Sequence, residues 1–212
     1  MHTTAVAFDE YDDVEASVQL LLDVLGKAEE NDAYWKHILI FTYLALQGAA
    51  VCCLTRSDAT GPFDKRTERE LRLRHLLDSQ KATNHNHGAP WIMPDMDAPK
   101  EKLASFDELL DRLPSSLRIQ VKGKTVQSAS DSEVPFVFVR QYRNECSHFT
   151  PETKIIGKNE IARHCKACLE HTLKIVGSPE LFASRSRFDE TRVEQNLQKV
   201  IALLREQQQA GT

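Results

Sequence analysis

The stretch from Ile38 to Leu54 restricts the fold more than any other part of the chain. Thr42, Tyr43 and Gln47 are scattered around it, and every other residue in it is apolar or small. A helix that is apolar on most sides belongs in the middle of a bundle, covered by neighbours. The run falls short of the roughly 20 apolar residues that a membrane-spanning helix needs, so it reads as a buried central helix and no membrane is implied. Gly48, Ala49 and Ala50 would let one neighbour come close.

Such a helix needs partners with one apolar face each, and the chain supplies them. Val14, Val18, Leu21, Leu22 and Leu25 recur at helical spacing behind Asp12 and Glu15, predicting an amphipathic first helix. A polar break at Asn31 and Asp32 precedes the central helix, and Thr60, Gly61 and Pro62 end it. A third helix begins near Asp64. Ser105 and Glu108 have the spacing of a capping box and open a short helix that stops at Pro114. Another runs from Lys158 to Val176, closed by Gly177 with Pro179 beyond. Val193, Leu197, Val200, Ile201 and Leu204 mark a last helix, starting at Asp189, that is either one more bundle member or a partner surface. Leu117, Ile119 and Val121 alternate with Arg118, Gln120 and Lys122 before Gly123, which predicts a small β-hairpin insertion near 117–126. The segment at about 80–100 is rich in Asn, His, Gly, Pro and Asp and reads as a long loop. The expected fold class is therefore mainly all-α, a helical bundle forming a single domain over residues 1–212.

A formal net charge of −4 excludes a protein that grips nucleic acid with its whole surface, so any contact with a polyanion must be local. Five cysteines are an odd number, and no basic segment followed by an apolar one opens the chain. Neither a disulfide framework nor secretion is indicated, and a reducing cytoplasm is the expected location. His85 and His87 lack a partner set at ligand spacing. Cys165 and Cys168, flanked by His164 and His171, share a helical face with Ile161, Leu169, Thr172 and Val176, which makes the cysteines small core residues rather than a metal site. No metal or cofactor is expected.

The chemistry concentrates between Ser130 and Phe149. Ser130 stands three residues before Glu133 and Pro135 falls in the first turn, so this segment predicts a helix of about four turns. Stepping about 100° per residue puts Phe136, Phe138, Val139, Tyr142 and Cys146 on one arc. Arg140, Gln141, Arg143, Asn144, Ser147 and His148 fall on the other. Two guanidinium groups, two amides, a hydroxyl and an imidazole suit a phosphate-like ligand with a proton to move, since Arg binds phosphate as a planar fork and His titrates near neutrality.

Arg143, Asn144, three intervening residues and His148 resemble the motif of the HEPN superfamily, small helical domains that often act as metal-independent ribonucleases. The resemblance implies an HEPN-like bundle in which His148 moves the proton, Arg143 stabilises charge on phosphorus and Asn144 orients them. It implies RNA as substrate and 2′-hydroxyl attack giving a 2′,3′-cyclic phosphate. It further implies a homodimer with a composite site and a role as a toxin or defence effector with an antitoxin or nucleotidyltransferase partner. Thr150 stands where some HEPN toxins carry a Tyr that such a partner modifies, so control through that residue does not carry over. A second Arg-to-His match, Arg69 to His75, has Glu70 after its Arg, which would oppose a phosphate by charge. The helix that holds it is the most basic in the chain, and Arg69 and Arg72 are candidates for backbone contact with RNA, the alternative being a solvated charged face. The other functional reading is a non-catalytic module whose polar face holds a nucleotide or a protein partner.

Overall fold

A computed structural model describes residues 10–55, 61–84, 102–147, 155–178 and 190–210. They form seven helices: α1 (Glu10–Leu25), α2 (Tyr34–Leu54), α3 (Lys65–Asn84), α4 (Phe106–Arg112), α5 (Val134–Ser147), α6 (Lys158–Val176) and α7 (Glu190–Ala210). No strand occurs among the described residues, and one isolated antiparallel bridge joins Phe63 to Leu103. The all-α expectation holds.

Helix α2 is the hub, packing against α1, α4, α5 and α6, while α7 closes the bundle against α1 and α6. It alone among the described helices is long and apolar enough to cross a membrane by length and composition, yet half of that stretch is buried inside the protein. Ile38, Leu39, Ala45, Leu46, Ala49 and Ala50 are fully enclosed. The α1–α2 contact is close because Gly48 has no side chain; a Cβ there would come within 2.8 Å of the Val14 methyl. Between these helices the chain turns at Asn31, whose Oδ1 accepts the Ala33 amide at 2.9 Å. Arg192 of α7 forms an ion pair with Glu15 of α1, and Gln207 donates to Glu29 at 2.9 Å, fastening the last helix to the first.

The capping box expected at Ser105 is present in full, the Ser105 hydroxyl accepting the Glu108 amide and the Glu108 carboxylate accepting the Ser105 amide. Residues 80–84, expected in the loop, instead complete α3, and 85–101 lie outside the described residues, His85 and His87 among them. The hairpin expected near 117–126 is replaced by irregular chain. Leu117 and Val121 do turn inward as the alternation predicts, but the backbone finds other partners. The Ile119 amide donates to Leu110 O at 3.2 Å, Arg140 takes the carbonyls of Val121 and Lys124, and Gly123 turns the chain at φ +72°. With carbonyls satisfied by a side chain, no second strand is needed.

Cys165 and Cys168 are fully buried in the face of α6 that meets the bundle, where loss of solvent pushes the Cys165 thiol up to about 12 and that of Cys168 well above its usual range.

Candidate functional site

Helix α5 brings the candidate site to the bundle. Its start is half the capping box that the sequence suggests: the Ser130 amide donates to Glu133 Oε2 at 3.0 Å, whereas the Ser130 hydroxyl pairs with Ser132. Lys124 donates to Glu133 at 2.5 Å, and this bond, with those from Ser130, holds the Glu133 carboxyl down at about 2. Phe136, Val137, Phe138 and Val139 are buried, with Tyr142 and Cys146 half-buried behind them. Phe138 lies against Tyr142 at 4.4 Å and against His164 of α6 at 4.2 Å between ring centroids. That apolar arc fixes which way the polar residues face.

Those polar residues separate into two groups. Arg140 turns into the protein. It donates to Asp107 Oδ2 at 2.5 Å, to Val121 O at 3.1 Å and to Lys124 O at 2.5 Å. Both side chains of the Arg140–Asp107 pair are about four-fifths buried. Arg140 thus ties α4 and the irregular 113–130 chain to α5, and its guanidinium is committed to that work.

Arg143, one turn on, is half-buried and held differently. Its Cζ sits 4.6 Å from the centre of the Tyr43 ring, a cation–π contact with α2, and it donates to Asn144 Oδ1 at 3.1 Å. Tyr43 in turn stacks on Phe106, the first residue of α4, at 4.6 Å. Burial pushes the Tyr43 hydroxyl above its ordinary range, opposed by Arg143 and reinforced by Asp107, so the ring stays neutral beneath the guanidinium. Two buried rings and one neighbouring amide therefore set the position of one cation. Asn144 itself is exposed.

Gln141 is occupied by Glu145, donating to its Oε1 at 3.3 Å. Ser147 ends the described part of α5; its side chain, and His148 as a whole, lie outside the described residues. Arg69 and Arg72 are not brought to α5. Both are exposed on α3, Arg72 bonded to Glu68 at 2.6 Å.

Tyr43, Phe106 and Asp107 were not visible as site residues in the sequence. Tyr43 is hidden in the apolar run of α2, and its one signal was that it is a polar-tipped ring among aliphatic neighbours. Among the described residues, no group of three or more His, Cys, Asp or Glu side chains is placed to hold a metal ion. Fold and site together define a helical bundle in which α5 holds one guanidinium, that of Arg143, against a ring in the middle of the central helix α2. Comparison with protein-family models, curated proteins and solved structures found no match to the chain.

Proposed function

We propose that the chain is a metal-independent endoribonuclease of HEPN type, with Arg143 and His148 as its reacting pair and Asn144 as the residue that orients them. The single observation that supports this reading is the seating of Arg143 on the Tyr43 ring with Asn144 alongside. A guanidinium held in place before the ligand arrives stabilises developing charge without reorganising, and this is the largest contribution that a site of this kind makes.

The reaction needs few groups. The 2′-hydroxyl proton passes to His148 as its oxygen attacks the adjacent phosphorus, and the bond from phosphorus to the 5′-oxygen breaks. The departing oxygen takes a proton from water. Arg143 faces the negative charge that builds on the phosphoryl oxygens, contributing two N–H donors in a planar fork. The products are a 2′,3′-cyclic phosphate and a 5′-hydroxyl. Because Arg140 is occupied inside the protein, one guanidinium per chain carries the charge stabilisation. A cytoplasmic toxin or defence effector is the setting that the resemblance suggests.

The experiment is cleavage of a mixed RNA in chelator by the wild type and an Arg143 series. Arg143→Ala is expected to abolish cleavage, and Arg143→Lys to restore little, since an ammonium does not reproduce the fork. Asn144→Ala is expected to cost roughly ten- to a hundredfold, as for an orienting neighbour. RNA binding that depends on Arg143, with no cleavage of any substrate, would assign the non-catalytic module instead.

A further inference from the structure

Arg140 and Arg143 stand three residues apart on α5, about 60° from one another around the helix, so both lie on one side of it. A carboxylate belongs to the same cluster. Ser105 and Glu108 cap α4 and fix its first turn, which places Phe106 on Tyr43 and Asp107 on Arg140. Asp107 is bonded on one side only: its Oδ2 accepts from Arg140 at 2.5 Å, whereas Oδ1 is buried and has no hydrogen-bond partner among the described residues. Its field therefore extends past Arg140. The Tyr43 hydroxyl, raised chiefly by burial, is acted on by Arg143, Asp107 and Arg140 in that order of strength, so all three charges surround one ring. Two guanidiniums and one carboxylate leave a single net positive charge among these three side chains.

The charge of a fitting phosphate follows from how two opposing effects scale. Attraction to the site grows in proportion to the ligand's charge, while the cost of taking that charge out of water grows with its square. One net positive charge beside a largely buried ion pair therefore suits a ligand with one negative charge. An internal phosphodiester carries one. A phosphomonoester carries roughly 1.5 to 2 at neutral pH, its second pKa being about 6.

We propose that Asp107 is the specificity-determining residue of the site: it cancels Arg140 and so selects the singly charged phosphodiesters inside an RNA chain over terminal phosphates and mononucleotides. This rests on reading the Arg143 face as a phosphate site, and it gives that reading a reason for cutting within a chain. Asp107 acts by its charge and by holding Arg140 inward.

The test compares two ligands that differ by one methyl group, 2′-O-methyluridine 3′-phosphate and its methyl phosphodiester, as competitors of a fluorescent 2′-O-methyl RNA that cannot be cut. At about pH 7.5 the wild type is expected to bind the diester at least as tightly as the monoester. Asp107→Asn keeps an acceptor for Arg140 and removes the charge; it is expected to shift the ratio toward the monoester by roughly tenfold, the effect of one unit charge at about 10 Å. Asp107→Asn with Arg140→Gln returns the cluster to one positive charge and is expected to return the ratio to that of the wild type, circular dichroism checking that each variant is folded. The wild type alone supplies a further arm, which stands even where Asp107→Asn does not fold. Lowering the pH from about 7.5 to about 5.5 is expected to tighten the monoester relative to the diester, because the monoester sheds its second charge. Arg143→Ala is expected to weaken both esters. A ratio unchanged in Asp107→Asn, one that stays shifted in the double variant, or a wild-type ratio indifferent to pH would overturn the proposal while leaving the phosphate site in place. So would a wild type that prefers the monoester at about pH 7.5. Failure of the wild type to bind either ester would remove the phosphate-site reading itself, and this proposal with it.

Discussion

Arg140 and Arg143 are one helical turn apart and have opposite tasks, and their surroundings explain why. Arg140 has three acceptors in the protein, all lost together if it is removed, leaving the Asp107 carboxylate buried without its partner. Arg140→Ala is therefore expected to destabilise the fold by roughly 3 kcal/mol, the usual cost of breaking a buried ion pair from one side, as measured by urea denaturation. Arg143→Ala loses one part-exposed cation–π contact and should cost only about 0.5–1 kcal/mol. Tyr43→Phe keeps the ring under the guanidinium and should leave cleavage within a few-fold of wild type; Tyr43→Leu removes it and should lower the rate by roughly tenfold through lost positioning. From the sequence the two arginines look equivalent, because a helical wheel gives direction and not reach. The long Arg140 side chain is drawn inward by acceptors from 107, 121 and 124, which a local pattern does not reveal.

Among the elements, the helices with strong period were legible and the irregular chain was not. The boundaries of α6 follow from Lys158 and Gly177, and the capping box of α4 from Ser105 and Glu108. The hairpin expectation failed although its alternation was real, since period two records which residues are buried and not which backbone groups pair. The contact between α5 and α6 carries a consequence for pH. His164 lies on Phe138, and His171 meets Phe136 edge-on at 5.2 Å. Neither His164 Nδ1 nor His171 Nε2 has a hydrogen-bond partner. Burial, with Arg163 beside it, lowers His164 to about 4, and burial lowers His171 despite a hydrogen bond with the Leu117 backbone. A histidine lowered in the folded state takes its proton more readily unfolded, so its stabilising share is whole above about 6.5 and is lost as pH falls toward the folded value. Urea denaturation is expected to show stability dropping between pH 6.5 and 4, with His164 accounting for up to ~3 kcal/mol. His164→Leu should flatten much of that slope. Glu133, held near 2, adds its loss only below about 4.5, so the two contributions separate along the pH axis.

For the whole molecule, the apolar run of α2 was the most informative feature, because a helix without a polar face leaves few places to put it. The protein places it at the centre, with Leu46 enclosed and Leu44 at the edge of a groove. The candidate site was legible only as a face of α5. Its support comes from α2 and α4: Tyr43 precedes Arg143 by 100 positions and Phe106 precedes it by 37, and the packing that brings these rings beneath the guanidinium is recorded in no single helix. The central claim is that Arg143 and His148 act as one unit on an RNA phosphate. End-group analysis of RNA cut in EDTA by the wild type, Arg143→Ala and His148→Ala tests it most directly. The account predicts 2′,3′-cyclic phosphate and 5′-hydroxyl ends from the wild type, and no cut from either folded variant. Cleavage that survives the loss of Arg143 or His148, or that leaves 5′-phosphate ends, would contradict it.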